Sequence, residues 1–235
     1  MPGHGRRTSQ APARYAITRS GDPGAYVYST TKPYVACNWV SWADEAAYKA
    51  WAGLRPMTEL EFEKACRGPR HPEAGEFAWG TTSGTRATGI VDDGAPDERA
   101  SPGDANVAWD RLAADFGPLR AGVFATDSMD RVSAGASYWG IMELSGNLST
   151  RVIGVAANSA GNESRPRNFE GTHGSGTTTQ PADWPLSSDA IGVGRRGGRW
   201  GTGSDRARVS DRAEASIVDI SRRALYGGRG VRSAP

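Results

Sequence analysis

The sequence is poor in the residue types that usually carry chemistry. Its only cysteines are Cys37 and Cys66, and they lack the C-x-x-C spacing of a redox or zinc pair. Two buried thiols are the expectation, with a disulfide left open. Histidine occurs only at His4, His71 and His173, far apart in loop-like sequence, so they offer no metal set. Lysine is confined to Lys32, Lys49 and Lys64, which leaves nearly all the positive charge to arginine. The net charge of +2 gives the molecule no strong overall field. No apolar run approaches bilayer-spanning length, and no signal-peptide core follows the Arg-rich start. The expectation is a soluble chain, with cell-surface or virion display left open.

Turn formers are plentiful instead. With 31 glycines and 14 prolines, turn and loop should fill much of the chain. Hydrophobic content is 37%, low for a globular chain, and eight tryptophans offset that deficit because each buries a large apolar area.

Residues 1–33 read as a partly irregular N-terminal segment with a short strand at 15–18. Residues 34–40 read as a buried strand. Ser41 then caps a helix from Trp42 to about Ala52, with Asp44 completing a capping box and Gly53 as the stop. Thr58 and Glu61 form a second box that opens a helix from Glu59 to about Arg67, ended by Gly68-Pro69. Residues 69–137 read as mostly irregular, with a short strand and turn at 75–80 and an acidic loop holding Asp92, Asp93, Asp97 and Asp104. Residues 138–147 read as a second ordered core block, and 155–192 as loop. The fold class expected is α+β and loop-rich, with two N-terminal helices and short twisted antiparallel strands.

The stretch from Arg195 onward looks like a rigid frame with arbitrary side chains hung on it. Arg196-Gly197-Gly198, the run 206–212 and Gly227-Gly228-Arg229-Gly230 are the frame. Between them, residues 216–226 mix Ile, Val, Leu and Tyr with Asp, Ser and Arg at neither helical nor strand period. Such a mixture suits a binding surface better than a core. Ten arginines against four acids lie in this stretch, which raises nucleic-acid binding as the runner-up, but the acids interleave and no nucleic-acid motif is present.

Several blocks in order carry a resemblance. They are Asn38-Trp39-Val40-Ser41-Trp42, Gly53-Leu54-Arg55-Pro56-Met57-Thr58-Glu59, Cys66-Arg67-Gly68, Ala78-Trp79-Gly80, Met142-Glu143-Leu144-Ser145-Gly146-Asn147, Arg196-Gly197-Gly198-Arg199-Trp200 and Gly227-Gly228-Arg229. Together they resemble the formylglycine-generating enzyme (sulfatase-modifying factor) superfamily, from about residue 34 to 235. The resemblance implies a C-type-lectin-like fold of that type. Within the superfamily, Leu144-Ser145-Gly146-Asn147 followed by Arg208-Val209-Ser210-Asp211-Arg212 is similar to variable proteins of diversity-generating retroelements. There, template adenines are randomised, typically at AAC codons, and the resulting NNC set excludes Trp, Met, Lys, Glu and Gln. Every residue from 216 to 226 lies inside that set. Trp200 and Glu214 lie outside it.

The resemblance implies a ligand-binding region at 195–235. Its candidate residues are Arg199, Trp200, Gly201, Thr202, Gly203, Asp205, Ala213, Ser216, Ile217, Val218, Asp219, Ile220, Ser221, Arg223, Ala224, Leu225 and Tyr226, against an unknown protein or glycan. Core packing is the alternative for Ile217, Val218 and Ile220. Arg196, Arg208 and Arg212 are the candidate frame residues, expected to bind backbone carbonyls through their forked donors. The family's oxidase needs two cysteines after the Arg-Gly-Gly block to hold copper, and 200–208 has none; Thr202 stands near the first position. No catalytic set and no cofactor are therefore expected. A structural Ca2+ stays open, although Ser149 and Thr150 replace the Trp and Glu of the family's calcium block. With no clear opening strand paired in residues 1–33, an oligomer that covers the edge is a further expectation.

Overall fold

The computed structural model describes residues 14–110, 117–154 and 169–233. It is an α+β fold of two helices with short, mostly antiparallel strands. Both helices begin where their capping chemistry predicts. In α1 (Trp42–Trp51) the Ser41 hydroxyl accepts from the Asp44 N–H at 3.2 Å, and the Asp44 carboxylate accepts from the Ser41 N–H at 2.8 Å. In α2 (Glu59–Arg67) Thr58 and Glu61 repeat the exchange at 3.2 and 2.9 Å. Gly68, at φ +64°, closes α2 in a conformation that a side chain would strain.

Each helix buries one stripe. Trp42, Ala46 and Ala50, four residues apart, pack with Ile153, Trp184 and Val193. Phe62 and Cys66 of α2 pack with Met57, Leu144, Val152 and Val209. A separate cluster stacks Phe77 on Trp79 and Trp109 at 4.9 and 4.7 Å between ring centres. Large rings thus supply apolar area that the composition otherwise lacks.

The central sheet is the fold's spine. Strand β6 (Ser149–Ile153) lies between β7 (Val193–Arg196), antiparallel, and β8 (Tyr226–Gly227), parallel. Every residue of β6 and β7 is buried. Strand β3 (Arg55–Pro56) pairs with β9 (Gly230–Val231), which ties the residues after segment 216–226 to the front of α2. Two hairpins complete the described strands: β1 (Ile17–Ser20) with β2 (Val27–Thr30), and β4 (Gly89–Val91) with β5 (Arg99–Ser101).

Several sequence expectations need correction. Residues 34–40 are not a strand. Only Val35 makes a bridge, to Arg120, and Trp39 takes φ +60°, which breaks an extended path. Residues 75–80 turn instead of extending, because Gly75 and Gly80 adopt φ +77° and +84°. The region 69–137 holds the β4–β5 hairpin, which its acidic, Gly-rich sequence conceals. In the 138–147 block, Leu144, Ser145 and Asn147 are buried, but Tyr138 and Trp139 are exposed. The 155–192 loop reading lies partly outside the described residues. The strand expected at 15–18 falls at β1 and has an in-chain partner in β2. Cys37 is exposed, against the expectation of two buried thiols, and both cysteines are free.

Candidate functional site

The frame arginines bind mainly carboxylates. Arg196, sealed from solvent, donates to Glu59 at 3.0 Å, to Glu63 at 2.8 Å and to the Val209 carbonyl. Arg212 makes two bonds to Glu59, at 3.0 and 2.8 Å. Arg208 reaches the Gly75 carbonyl and lies 4.9 Å over the Phe77 ring. The expectation of several carbonyl partners for each is therefore corrected: acids on α2 take most of these donors. Gly197 shows why no side chain fits beside them. It sits at φ +85°, and an added Cβ would lie 2.3 Å from the Leu144 carbonyl oxygen.

Segment 216–226 is held by its main chain. Arg195 donates to the Ile217 carbonyl at 3.2 Å. Arg151, buried on β6, donates to the Asp219 carbonyl at 2.8 Å and the Ser221 carbonyl at 3.2 Å. The Trp39 N–H reaches the Arg223 carbonyl at 3.0 Å, and the Ser149 N–H reaches the Leu225 carbonyl at 3.1 Å. The Asn38 amide donates to the Ala224 carbonyl at 2.7 Å. Beneath these bonds Arg151 is ion-paired with Glu45 at 3.0 Å, and Glu45 with Lys49 at 2.7 Å. Arg151 and Asn38 were not among the sequence candidates. A buried arginine on a strand leaves no local pattern to read, and its partners lie about seventy residues away.

The side chains of this segment divide sharply. Ile217 and Ile220 are 47% and 55% exposed, and Ser221 and Arg223 also face solvent. Gly203, Asp205 and Ala213 are exposed on the neighbouring turns. Arg199, Gly201, Thr202, Ser216, Val218, Asp219 and Leu225 are half-buried. Trp200, Ala224 and Tyr226 are buried, which corrects their placement as ligand readers. Trp200 and Ala224 join the cluster of Leu119 and Phe124, with Leu225 packed against it, while Val218 packs on the Trp42 cluster. An added Cβ on Gly201 would stand 3.0 Å from Leu225, so the 199–203 turn and the insert touch.

Two acids clamp the segment. Asp219 accepts from the Tyr226 hydroxyl and the Ser221 N–H, both at 2.8 Å, with Arg223 at 3.3 Å. Burial pushes its carboxyl up, but those bonds and the Arg223 charge outweigh burial and hold it down at about 2. The Tyr226 ring meets the Arg195 and Arg151 guanidinium groups at 4.6 and 5.0 Å. Arg222, missed by the sequence reading, binds Asp44 through two bonds at 2.7 and 2.6 Å. That pairing is the main reason the Asp44 carboxyl sits at about 2.

The residues do not fit a two-thiolate copper centre. Cys66 is enclosed in the α2 core, where burial pushes its thiol up to about 12, whereas Cys37 lies at the surface. Near the family's calcium block and in the acidic loop, several oxygens are engaged within the chain. Asn147 accepts from the Leu119 N–H at 2.9 Å; Asp92 pairs with Arg99 at 2.8 Å; and Asp93 pairs with Arg14 and Lys32. Among the described residues, no group of three or more His, Cys, Asp or Glu side chains is placed to hold a metal.

An α+β domain built on short sheets, capped helices and Arg–Glu pairing is the class defined by this geometry. The family model for the sulfatase-modifying factor enzyme 1-like domain matches residues 13–234, and the chain belongs to that family. No curated protein matches the sequence. None of the helices among the described residues is long and apolar enough to cross a membrane.

Proposed function

We propose that the chain is a non-catalytic binding protein of receptor or adhesin type, with a C-type-lectin-like scaffold. On it, segment 216–226 and the adjoining turns display side chains diversified as in retroelement variable proteins. The carrying observation is the grip on six carbonyls, those of Ile217, Asp219, Ser221, Arg223, Ala224 and Leu225. Every residue type has a carbonyl, so these six bonds do not depend on which side chains the segment carries. Ile217, Ile220, Ser221 and Arg223 are then the positions free to vary. Trp200, Ala224 and Tyr226 serve the scaffold whatever their codons allow.

The nucleic-acid reading has less support. Arg195 and Arg199 share Glu214, Arg212 binds Glu59, Arg222 binds Asp44 and Arg223 faces Asp219. Guanidinium groups neutralised in this way have less charge to offer a phosphate backbone.

A library randomised at 217, 220, 221 and 223 tests the proposal. Its members should stay folded, each exchange shifting stability by no more than about 0.5 kcal/mol. Trp200→Ala should cost about 3–5 kcal/mol. Selection against one protein or glycan should enrich particular loop sequences. A library that unfolds as readily as Trp200→Ala, or that yields no sequence-dependent binders, would refute the reading.

A further inference from the structure

A small cavity of about 10 Å³ lies under the Arg-Gly-Gly turn, with room for one water-sized atom. Arg195, Arg196, Arg199 and Arg206 line it, against two acids, Asp211 and Glu214. One Glu214 oxygen already accepts from both Arg195 and Arg199, and Asp211 stands 3.7 Å from Arg206. Behind Arg196, Glu59 and Glu63 are themselves shared with Arg212 and Arg67. In the lining itself four guanidinium groups face two carboxylates, a local cationic surplus; further out, Asp205 stands 3.7 Å from Arg206 and Glu76 binds Arg67.

The donors are incompletely used. The Nε atoms of Arg196 and Arg199 and the hydroxyl of Ser149, all from residues that line the cavity, are buried without a hydrogen-bond partner among the described residues. An arginine N–H can only donate, so its missing partner is an acceptor. A water supplies acceptor sites but brings two hydrogens that need acceptors of their own. A carboxylate oxygen only accepts, and its charge offsets the surplus. Exposure rises from Ser149 and Arg196, both sealed, through Arg199 to Arg206, so the cavity opens on the Arg206 side. Arg195 in its wall also holds the Ile217 carbonyl, which sets the cavity beside segment 216–226.

We propose that this cavity receives the tip of a carboxylate, the side chain of an acidic residue or a chain terminus, from the ligand met by the neighbouring loop. The source of the carboxylate rests on the binding reading above; the site itself does not. The test is a titration of the full chain with sodium formate, replacing chloride at constant ionic strength. The 1H–15N resonances of the arginine Nε–H groups are the readout. Formate should move the Arg196 and Arg199 signals saturably, and Arg199→Gln should weaken its binding about tenfold, as for loss of one charge-assisted hydrogen bond. A peptide with an internal aspartate and an amidated end, compared with one bearing only a free C-terminus, then separates the two sources. No change on exchanging chloride for formate, or equal formate affinity in Arg199→Gln, would overturn the proposal. A formate response without sequence-dependent loop binders would leave the site standing and remove the display reading.

Discussion

Arg151→Met probes the anchoring of segment 216–226. The guanidinium donates to the carbonyls of Asp219, Val40 and Ser221 at 2.8, 3.0 and 3.2 Å, and pairs with Glu45 at 3.0 Å. Hydrogen bonds to a charged group contribute about 1.5–3 kcal/mol each, but bonds made by one side chain are not additive. Methionine fills much of the vacated volume, and Glu45 keeps Lys49 at 2.7 Å, so no carboxylate is left unpaired. The net loss should be about 4 kcal/mol, out of a total of about 5–15 kcal/mol for a domain. Urea unfolding measures the global part. Amide exchange measures the local part at Ile217 and Tyr226, whose N–H groups bond to the Glu214 and Arg223 carbonyls within the same region. Those amides should exchange at least about tenfold faster than in the parent, in excess of any global change. Arg151→Lys should recover only part of the loss, because an ammonium group lacks the planar fork. A cost below about 1 kcal/mol with unchanged exchange would show that the segment holds its path without this arginine.

Two further outcomes follow from the same geometry. The Asp44 and Asp219 carboxyls lie at about 2, below their ordinary 3.8, so the stability they add is fully present above about pH 4 and fades as pH falls toward 2. Arg222→Ala should flatten that decline in urea midpoints measured between about pH 4.5 and 2, since Arg222 is the largest cause of the Asp44 shift; an unchanged slope would contradict it. Alkylation followed by mass spectrometry should label Cys37 in the native protein and spare Cys66 until unfolding, because the latter thiol is buried and held protonated. Equal native labelling would disprove the enclosure of Cys66.

What was legible in the sequence was local chemistry. Ser41 with Asp44 and Thr58 with Glu61 announce their helices because the capping partners are three residues apart. The apolar run at 34–40 misled because its partner, Arg120, is remote and Trp39 turns the chain at φ +60°. Strands of two to five residues are set by tertiary pairing, as in Arg55 with Val231, and leave too short a period to read. Within the site, Arg196-Gly197-Gly198 stood out in the sequence but not the acids on α2 that Arg196 binds, and the mixed composition of 216–226 could not separate Ile217 from Tyr226. Both carry a large apolar surface, and it is Tyr226 whose hydroxyl meets Asp219 and whose ring meets Arg151 and Arg195, while Ile217 faces water.

The pairing of Gly230–Val231 with Arg55–Pro56, and of Tyr226–Gly227 with Ser149–Thr150, makes the end of segment 216–226 and the residues after it a checkpoint on their own upstream coding. A copying error that shifts the reading frame within that stretch replaces both closing strands with unrelated sequence. The resulting molecule lacks the partners that complete two sheets and becomes a substrate for proteases. Exchanges at the exposed Ile217, Ile220, Ser221 and Arg223 leave both closing strands in place, so the architecture separates a changed side chain from a lost reading frame.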